Sequence, residues 1–153
     1  MGMEKPKRIV GFVGPLYDAL EGASYPFMRI VTGLFLLPHG AQKLFGLFGG
    51  DINKSADFFA KVGIEPALTL AYVTGGVEFF GGLLLVLGLL TRVAAAGVAI
   101  MMAVAILSVH LAHGYFWTSL GYEYPLMWGL FALAIFVHGG GRFSLDRRVG
   151  YEF

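Results

Sequence analysis

One apolar segment limits what this chain can fold into. Residues 67–90 read ALTLAYVTGGVEFFGGLLLVLGLL, and Glu78 is the single charged residue among them. A membrane-spanning helix needs roughly 20 consecutive apolar residues, so this segment is predicted to cross a bilayer. A carboxylate at that depth costs about 3 kcal/mol or more unless it is protonated, paired or hydrated. We therefore expect the rest of the chain to provide a partner or a use for Glu78.

The composition is also that of a membrane protein. Charged residues make up 14% of the chain and hydrophobic residues 57%, whereas a soluble domain carries about 25% charged residues. The chain has no cysteine, which excludes disulfides, cysteine-ligated iron–sulfur clusters and thiol chemistry within it. Its basic residues are spread along the sequence rather than clustered, and we expect no nucleic-acid partner.

The apolar segments predict an all-α fold, a bundle of four transmembrane helices in a single domain over residues 1–153. The predicted spans are residues 25–45, 67–90, 93–113 and 124–138, and they are helices because an open sheet edge cannot be satisfied in lipid. The first span is expected to begin at Tyr25, with Pro26 near its first helical turn, where proline is favoured. Residues 9–20 predict a short interfacial helix before it. Residues 55–62 predict a short helix in the first outer loop, with Ser55 as its N-cap.

The distribution of lysine and arginine predicts the orientation of the bundle. Cytoplasmic loops carry an excess of basic residues. One side of the predicted bundle holds Lys5, Lys7, Arg8, Arg92, Arg142, Arg147 and Arg148, whereas the other holds Lys54 and Lys61. We therefore expect a multi-pass protein of the plasma (inner) membrane with both termini in the cytoplasm.

Several ionisable residues lie in apolar segments at depths compatible with contact to Glu78. The candidate polar site comprises Glu78, His39, Lys43, His110, His113 and Arg29. Snorkelling to the headgroups is the favoured interpretation for Arg29 and an equal alternative for Lys43. Small residues at Gly75, Gly81 and Gly82 predict that the face carrying Glu78 packs against a neighbouring helix. The third span is expected to pack closely through Ala96, Ala99 and Ala103.

Two other interpretations of these residues remain open. Glu78 can be a purely structural partner of Lys43 or of a histidine. His110 and His113 are three residues apart on a helix, a spacing that can bind a metal, but no haem-attachment motif is present and we expect no metal site. Towards the cytoplasmic side, Arg92, His138 and Asp146 are expected to be structural.

Read in order, these positions resemble the DoxX family of small four-helix membrane proteins. The matching stretches are RIVTGLFLLPHGAQKLFG (29–46), FFAKVGIEP (58–66), GGVEFFGGLLLVLGLLTR (75–92) and GGGRFSLD (139–146). The resemblance implies a four-helix membrane bundle. The family takes its name from a subunit of a thiosulfate:quinone oxidoreductase, and its relatives are linked to membrane redox complexes. The residues that carry over are Arg29, His39, Lys43, Glu78, Arg92 and His110, and sulfur-oxidising chemistry would need a partner subunit.

The leading functional hypothesis is a quinone-linked redox subunit or accessory of a membrane oxidoreductase complex. A quinone needs an apolar slot for its tail and polar donors for its carbonyls, and the candidate polar site offers donors and a carboxylate that could relay protons. The alternatives are a small-solute transporter or channel and a non-catalytic scaffold of a membrane complex. The expected partners are the lipid bilayer and other membrane or redox subunits, or further copies of this chain.

Overall fold

The computed structural model describes residues 8–151, and within them the chain is helical, without strands. Lys5 and Lys7, which contribute to the predicted orientation, lie outside this range. The α-helices are α1 (Gly14–Phe45), α2 (Ile52–Lys61), α3 (Ala67–Leu87), α4 (Thr91–His113), α5 (Glu123–His138) and α6 (Leu145–Val149). Short 3-10 turns lie at Gly11–Val13, Leu47–Gly49 and Trp117–Ser119. The all-α prediction is confirmed.

Two helices, α3 and α4, are long and apolar enough to cross a membrane. Helix α5 is apolar but has only 16 residues. Helix α3 ends at Leu87 rather than residue 90 because Gly88 adopts a left-handed conformation (φ 65°), the usual glycine stop signal of a helix. The tight turn that follows makes α3 and α4 an antiparallel pair.

Helix α1 is continuous from Gly14 to Phe45, so the prediction of a separate interfacial helix over residues 9–20 is wrong. Pro26 lies inside the helix instead of near its first turn. Proline is tolerated within membrane helices because neighbouring groups and small backbone adjustments satisfy the freed carbonyl. With 32 residues, α1 is about 48 Å long and exceeds the roughly 30 Å hydrocarbon core of a bilayer.

Before α1, Arg8 is paired with the first turns of the helix. Its guanidinium donates to both carboxylate oxygens of Asp18, at 2.9 and 2.7 Å. This hydrogen bonding raises the pKa of Arg8 above its usual value, so the side chain stays charged at any physiological pH.

The short loop helix is present, but it begins earlier than predicted. Helix α2 starts at Ile52, and Asp51 rather than Ser55 caps it, because an Asp51 carboxylate oxygen accepts a hydrogen bond of 2.8 Å from the Asn53 backbone N–H. Aspartate before the first helical residue is a strong N-cap. The helix therefore gains a full turn towards the end of α1.

Helices α1 and α3 pack through glycines on both partners. A Cβ placed on Gly82 would lie 2.8 Å from the Gly33 carbonyl oxygen, and one on Gly75 would lie 3.0 Å from the Leu44 side chain. Such close approach is the usual packing device of membrane helices. The predicted inward face is therefore confirmed for Gly75 and Gly82. Gly81 is also buried, but its added Cβ would meet only Val77 of the same helix, at 3.9 Å, so it makes no such close approach to α1.

Helix α4 packs through a different face from the one predicted. Ala103 is exposed, and Ala96 and Ala99 are only half-buried. The fully buried face carries Thr91, Ala94, Ala95 and Val98, which join Leu85 of α3 and Ala132 and Ile135 of α5 in the main core. Helix α4 has small residues on two of its faces, and the position of α5 determines which of the two faces is buried.

The α3–α4 turn and the segment after α5 form one end of the bundle, which we call the turn end (residues 88–91 and 139–149). Arg29 lies there and is 1% exposed, so the snorkelling interpretation of Arg29 is wrong. Its guanidinium donates to the carbonyl oxygens of Gly140 and Phe143. Because the glycine-rich segment supplies carbonyl partners inside the bundle, this arginine does not need the headgroups.

Three further residues hold the turn end together. The buried Asp146 carboxylate accepts hydrogen bonds from the backbone N–H groups of Leu90 (2.7 Å) and Thr91 (3.0 Å), and so caps α4. Arg92 donates to two carbonyl oxygens in the last turn of α5. His138 makes an edge-on contact with the Tyr25 ring. The turn end is thus a polar structure separate from Glu78.

Candidate functional site

The central contact of the site is an ion pair between α1 and α3. The Lys43 ammonium group donates to both carboxylate oxygens of Glu78, at 2.9 and 2.7 Å. The two side chains are only 19% and 11% exposed. Such a pair removes the cost of an isolated carboxylate within the membrane helix.

The local winding of α3 positions Glu78. Residues Val77–Gly81 form a π-helical turn within the helix, and π turns often occur at functional sites. Helix α1 approaches this turn closely, because a Cβ on Gly40 would collide with the backbone of Phe79. Lys43 lies nearly one turn beyond Gly40 on α1, and the close approach brings its ammonium group to Glu78.

The ion pair lies in the wall of a large cavity. The cavity has a volume of about 1200 Å³ and is enclosed by α1, α2, α3, α4 and the loops beside them. Its lining is mostly apolar, with Phe58 and Phe59 from α2, Val73 and Val77 from α3, and Ile100 and Met101 from α4. A mostly apolar cavity with a few convergent polar groups is the usual form of a small-molecule site.

Both histidines of α4 also line this cavity. His110 is the last residue of a second π turn, Ile106–His110. Its Nδ1 lies 2.6 Å from the Leu120 carbonyl oxygen; since a carbonyl only accepts, Nδ1 carries the proton and Nε2 is the atom available to a ligand. His113 Nδ1 donates in the same way to Val109 of its own helix, at 2.9 Å.

The structure brings together four of the six residues of the candidate polar site. Lys43, Glu78, His110 and His113 share the cavity. His39 is exposed and does not line it, and Arg29 belongs to the turn end. Six other polar residues that line the cavity were not predicted to belong to the site, namely Gln42, Asp51, Lys54, Ser55, Thr74 and Ser108. The sequence could have revealed Asp51 as a helix N-cap. This cap starts α2 close to the end of α1 and so brings Asp51, Lys54 and Ser55 to the cavity.

No group of three or more histidine and acidic side chains within residues 8–151 is placed to hold a metal ion. The groups that line the cavity offer hydrogen bonding and proton exchange. The ammonium of Lys43 donates, the carboxylate of Glu78 accepts, and Nε2 of His110 accepts when the ring is neutral and donates when it is protonated.

These features define a class, that of helical integral membrane proteins with an ion pair inside the helix bundle. The family model for DoxX matches residues 26–111 of the chain, so the protein belongs to the DoxX family, as its motifs indicate. An uncharacterized membrane protein of Mycobacterium tuberculosis, Rv3486, is 31% identical, over 92% of this chain and 93% of that protein.

Two other relatives are similar over different shares of the chain. A Bacillus subtilis protein with the name "Putative oxidoreductase CatD" is 32% identical over 55% of this chain and 58% of its own length. A protein of Haemophilus influenzae is 32% identical over 80% of this chain and 87% of its own length. No solved structure matches the chain.

Proposed function

We propose that this protein is a quinone-binding subunit of a membrane oxidoreductase complex. It would span the plasma membrane four times, through α1, α3, α4 and α5, with both termini in the cytoplasm. The observation that carries the functional proposal is the Lys43–Glu78 ion pair in the wall of an apolar cavity of about 1200 Å³.

The residues of the cavity fit a quinone. A quinone ring is flat and apolar, with two carbonyl oxygens that accept hydrogen bonds. The ammonium group of Lys43 supplies one donor, and the Gln42 side-chain amide supplies another on the same cavity; His110 donates through Nε2 only when its ring is protonated. The apolar walls from α2, α3 and α4 suit the ring face and an alkyl tail, since burying each CH₂ group contributes about 0.8 kcal/mol.

When bound, a quinone accepts two electrons and two protons and leaves as a quinol. Lys43 would hold one carbonyl oxygen by donating a hydrogen bond from its ammonium group. The ammonium group of Lys43 would give a proton to the reduced ring, and Glu78, which is ionised in the pair, would take up a proton from water and return it to Lys43. His110 would act from α4 through Nε2. The electrons would come from a partner protein that carries a flavin or a metal centre.

The charge distribution supports the proposed orientation. The turn end carries Arg92, Arg142, Arg147 and Arg148, whereas the opposite end carries Lys54 and Lys61. A basic excess at one end favours its placement in the cytoplasm. The cavity would then open towards the outer half of the membrane, and redox partners would reach it from that side.

The name of one relative supports the class of reaction. The Bacillus subtilis protein named as an oxidoreductase matches this chain over about half of each sequence. The expected partners are redox subunits of the same membrane or further copies of this chain.

Quinone binding to the purified protein tests the proposal. Benzoquinone and naphthoquinone analogues with decyl tails should be titrated against the wild type, Lys43→Met and His39→Gln in detergent. Wild type and His39→Gln are expected to bind one of the rings equally, because His39 lies outside the cavity. Lys43→Met is expected to bind about tenfold more weakly, because a hydrogen bond from a charged donor contributes about 1.5–3 kcal/mol. A wild-type protein that binds neither ring would contradict the proposal.

A scaffold role is the second candidate, and one observation favours it. Both oxygens of Glu78 already accept hydrogen bonds from Lys43, as expected of an ion pair that only holds α1 against α3. In that case Lys43→Met would weaken the fold, and replacing both partners by apolar residues would restore it with no functional consequence.

A further inference from the structure

The shape of the α3–α4 pair bears on how a ligand reaches the cavity. From the turn end to about the middle of the two helices they pack together, and at the middle level a Cβ on Gly97 of α4 would lie 3.6 Å from the Val77 side chain. Beyond this level, towards the opposite end, the space between them is occupied by the cavity. The helices therefore enclose a gap that begins near the middle of α3 and α4.

The walls of this gap are apolar and exposed. Val73 is 54% exposed, Ile100 65% and Val104 45%, and all three line the cavity. Both α3 and α4 are apolar enough to span a membrane. In a bilayer the outer rim of these walls would border lipid, and the cavity would be continuous with the lipid phase through the gap between the two helices.

The boundary that α2 forms on the other side of the cavity differs from the gap between α3 and α4. Helix α2 packs on α3 and places Phe58, Phe59 and Val62 against the cavity, with Asp51 and Lys54 at the N-terminal end of the same helix. An amphipathic helix in this position separates the cavity from water by an apolar layer. A ligand with a long apolar tail has no comparable apolar route on this side.

We infer that the ligand of this cavity is a lipid with a single apolar tail, which enters sideways between α3 and α4 and leaves its tail in that gap. This inference rests on the proposed quinone site and specifies its substrate class as membrane-resident, tailed quinones. The polar ring would lie at Lys43 and Glu78, and the tail would pass between Val73 and Val104 into the bilayer.

Tryptophan substitution at the gap provides a direct test with a matched control. Val104→Trp narrows the gap, whereas Leu107→Trp, three residues further along α4, places the same group on a position that is 71% exposed and does not line the cavity. Each variant and the wild type are titrated with the quinone ring that the wild type binds, once with a decyl tail and once without a tail.

We expect Val104→Trp to weaken binding of the tailed quinone about tenfold, which corresponds to the lost burial of roughly two CH₂ groups. Binding of the tail-less ring should change by less than about twofold. This is well below a tenfold change in affinity, which corresponds to about 1.4 kcal/mol. Leu107→Trp should change neither.

If wild type binds and Val104→Trp binds both ligands like wild type, the sideways route is wrong while the quinone site stands. If wild type binds neither ligand, the proposed function fails together with this inference.

A second measurement does not depend on any substituted protein. A quinone with a photoreactive azide at the end of its decyl tail is bound to the wild type, irradiated, and the labelled peptides are identified by mass spectrometry. Labels are expected at the gap residues of α3 and α4. Labels confined to α2 and the loops at 46–66 would overturn the inference.

Discussion

The Lys43–Glu78 pair predicts a specific response to Glu78→Gln. Glutamine keeps the size of the side chain and can still accept one hydrogen bond, but it cannot balance the charge of the Lys43 ammonium group. Because the two side chains are 19% and 11% exposed, water can compensate only a small part of the lost interaction.

The magnitude follows from the geometry. At a mean separation of about 2.8 Å and an effective dielectric constant of 20, the Coulomb attraction is about 6 kcal/mol. Desolvation of both ions offsets much of it, and removal of one charge leaves the desolvation cost of the other in place. We therefore expect Glu78→Gln to lower the free energy of unfolding by about 3 kcal/mol, the lower end of the range for buried pairs, since some exposure remains.

Thermal unfolding in detergent, followed by circular dichroism, measures this effect. For a chain of this size, 3 kcal/mol corresponds to a decrease in Tm of about 6–12 °C. The double variant Lys43→Met, Glu78→Leu should return to within about 1 kcal/mol of wild type, because a buried ion pair can be replaced by apolar residues of similar volume. An unchanged Tm for Glu78→Gln would show that the carboxylate is not an ionised partner of Lys43, and the reasoning would fail.

Three further predictions concern the fold. Gly82→Leu should destabilise the bundle by about 1–3 kcal/mol through overpacking against Gly33. Gly81→Ala should leave Tm unchanged, because its Cβ would meet no other helix. Equal losses of stability in the two variants would show that both glycines lie at a tight interface. Asp146→Ala removes the cap of α4 and should cost about 1–2 kcal/mol in thermal unfolding, and a wild-type Tm would show that the cap is dispensable. A reporter fused after Phe153 should behave as cytoplasmic, and an extracytoplasmic signal would reverse the proposed orientation.

The sequence predicted α3 and α4 well because their length and hydropathy are properties of the segment itself. It failed at α1, where a local rule for proline suggested a helix start near Pro26. The structure holds the helix on both sides of this residue, since Tyr25 donates a hydrogen bond to the Gly139 carbonyl and Arg29 binds the carbonyls beyond it. These partners are more than a hundred positions away along the chain, and no local pattern reveals them.

The candidate site was partly predictable for a similar reason. Matching depths along the helices grouped Lys43, Glu78 and His110, and these three residues line the same cavity. The rotation of α1 about its axis was not predictable, because it depends on Gly33 and Gly40 meeting the backbone of α3. His39 immediately precedes Gly40, lies about 100° from it around the helix and therefore lies outside the contact. The π turns that contain Glu78 and His110 also depend on packing and leave no periodic signal.

The most direct test of the central claim is the quinone content of the protein purified from native membranes, measured by mass spectrometry for wild type and for the double variant Lys43→Met, Glu78→Leu. The double variant is expected to be as stable as wild type, so a difference in bound quinone reports on the site rather than on folding. We expect quinone to co-purify with the wild type and to be lost from the double variant. Equal quinone in the two proteins would contradict the assignment of the site, and the absence of quinone from the stable wild type would contradict the proposed function.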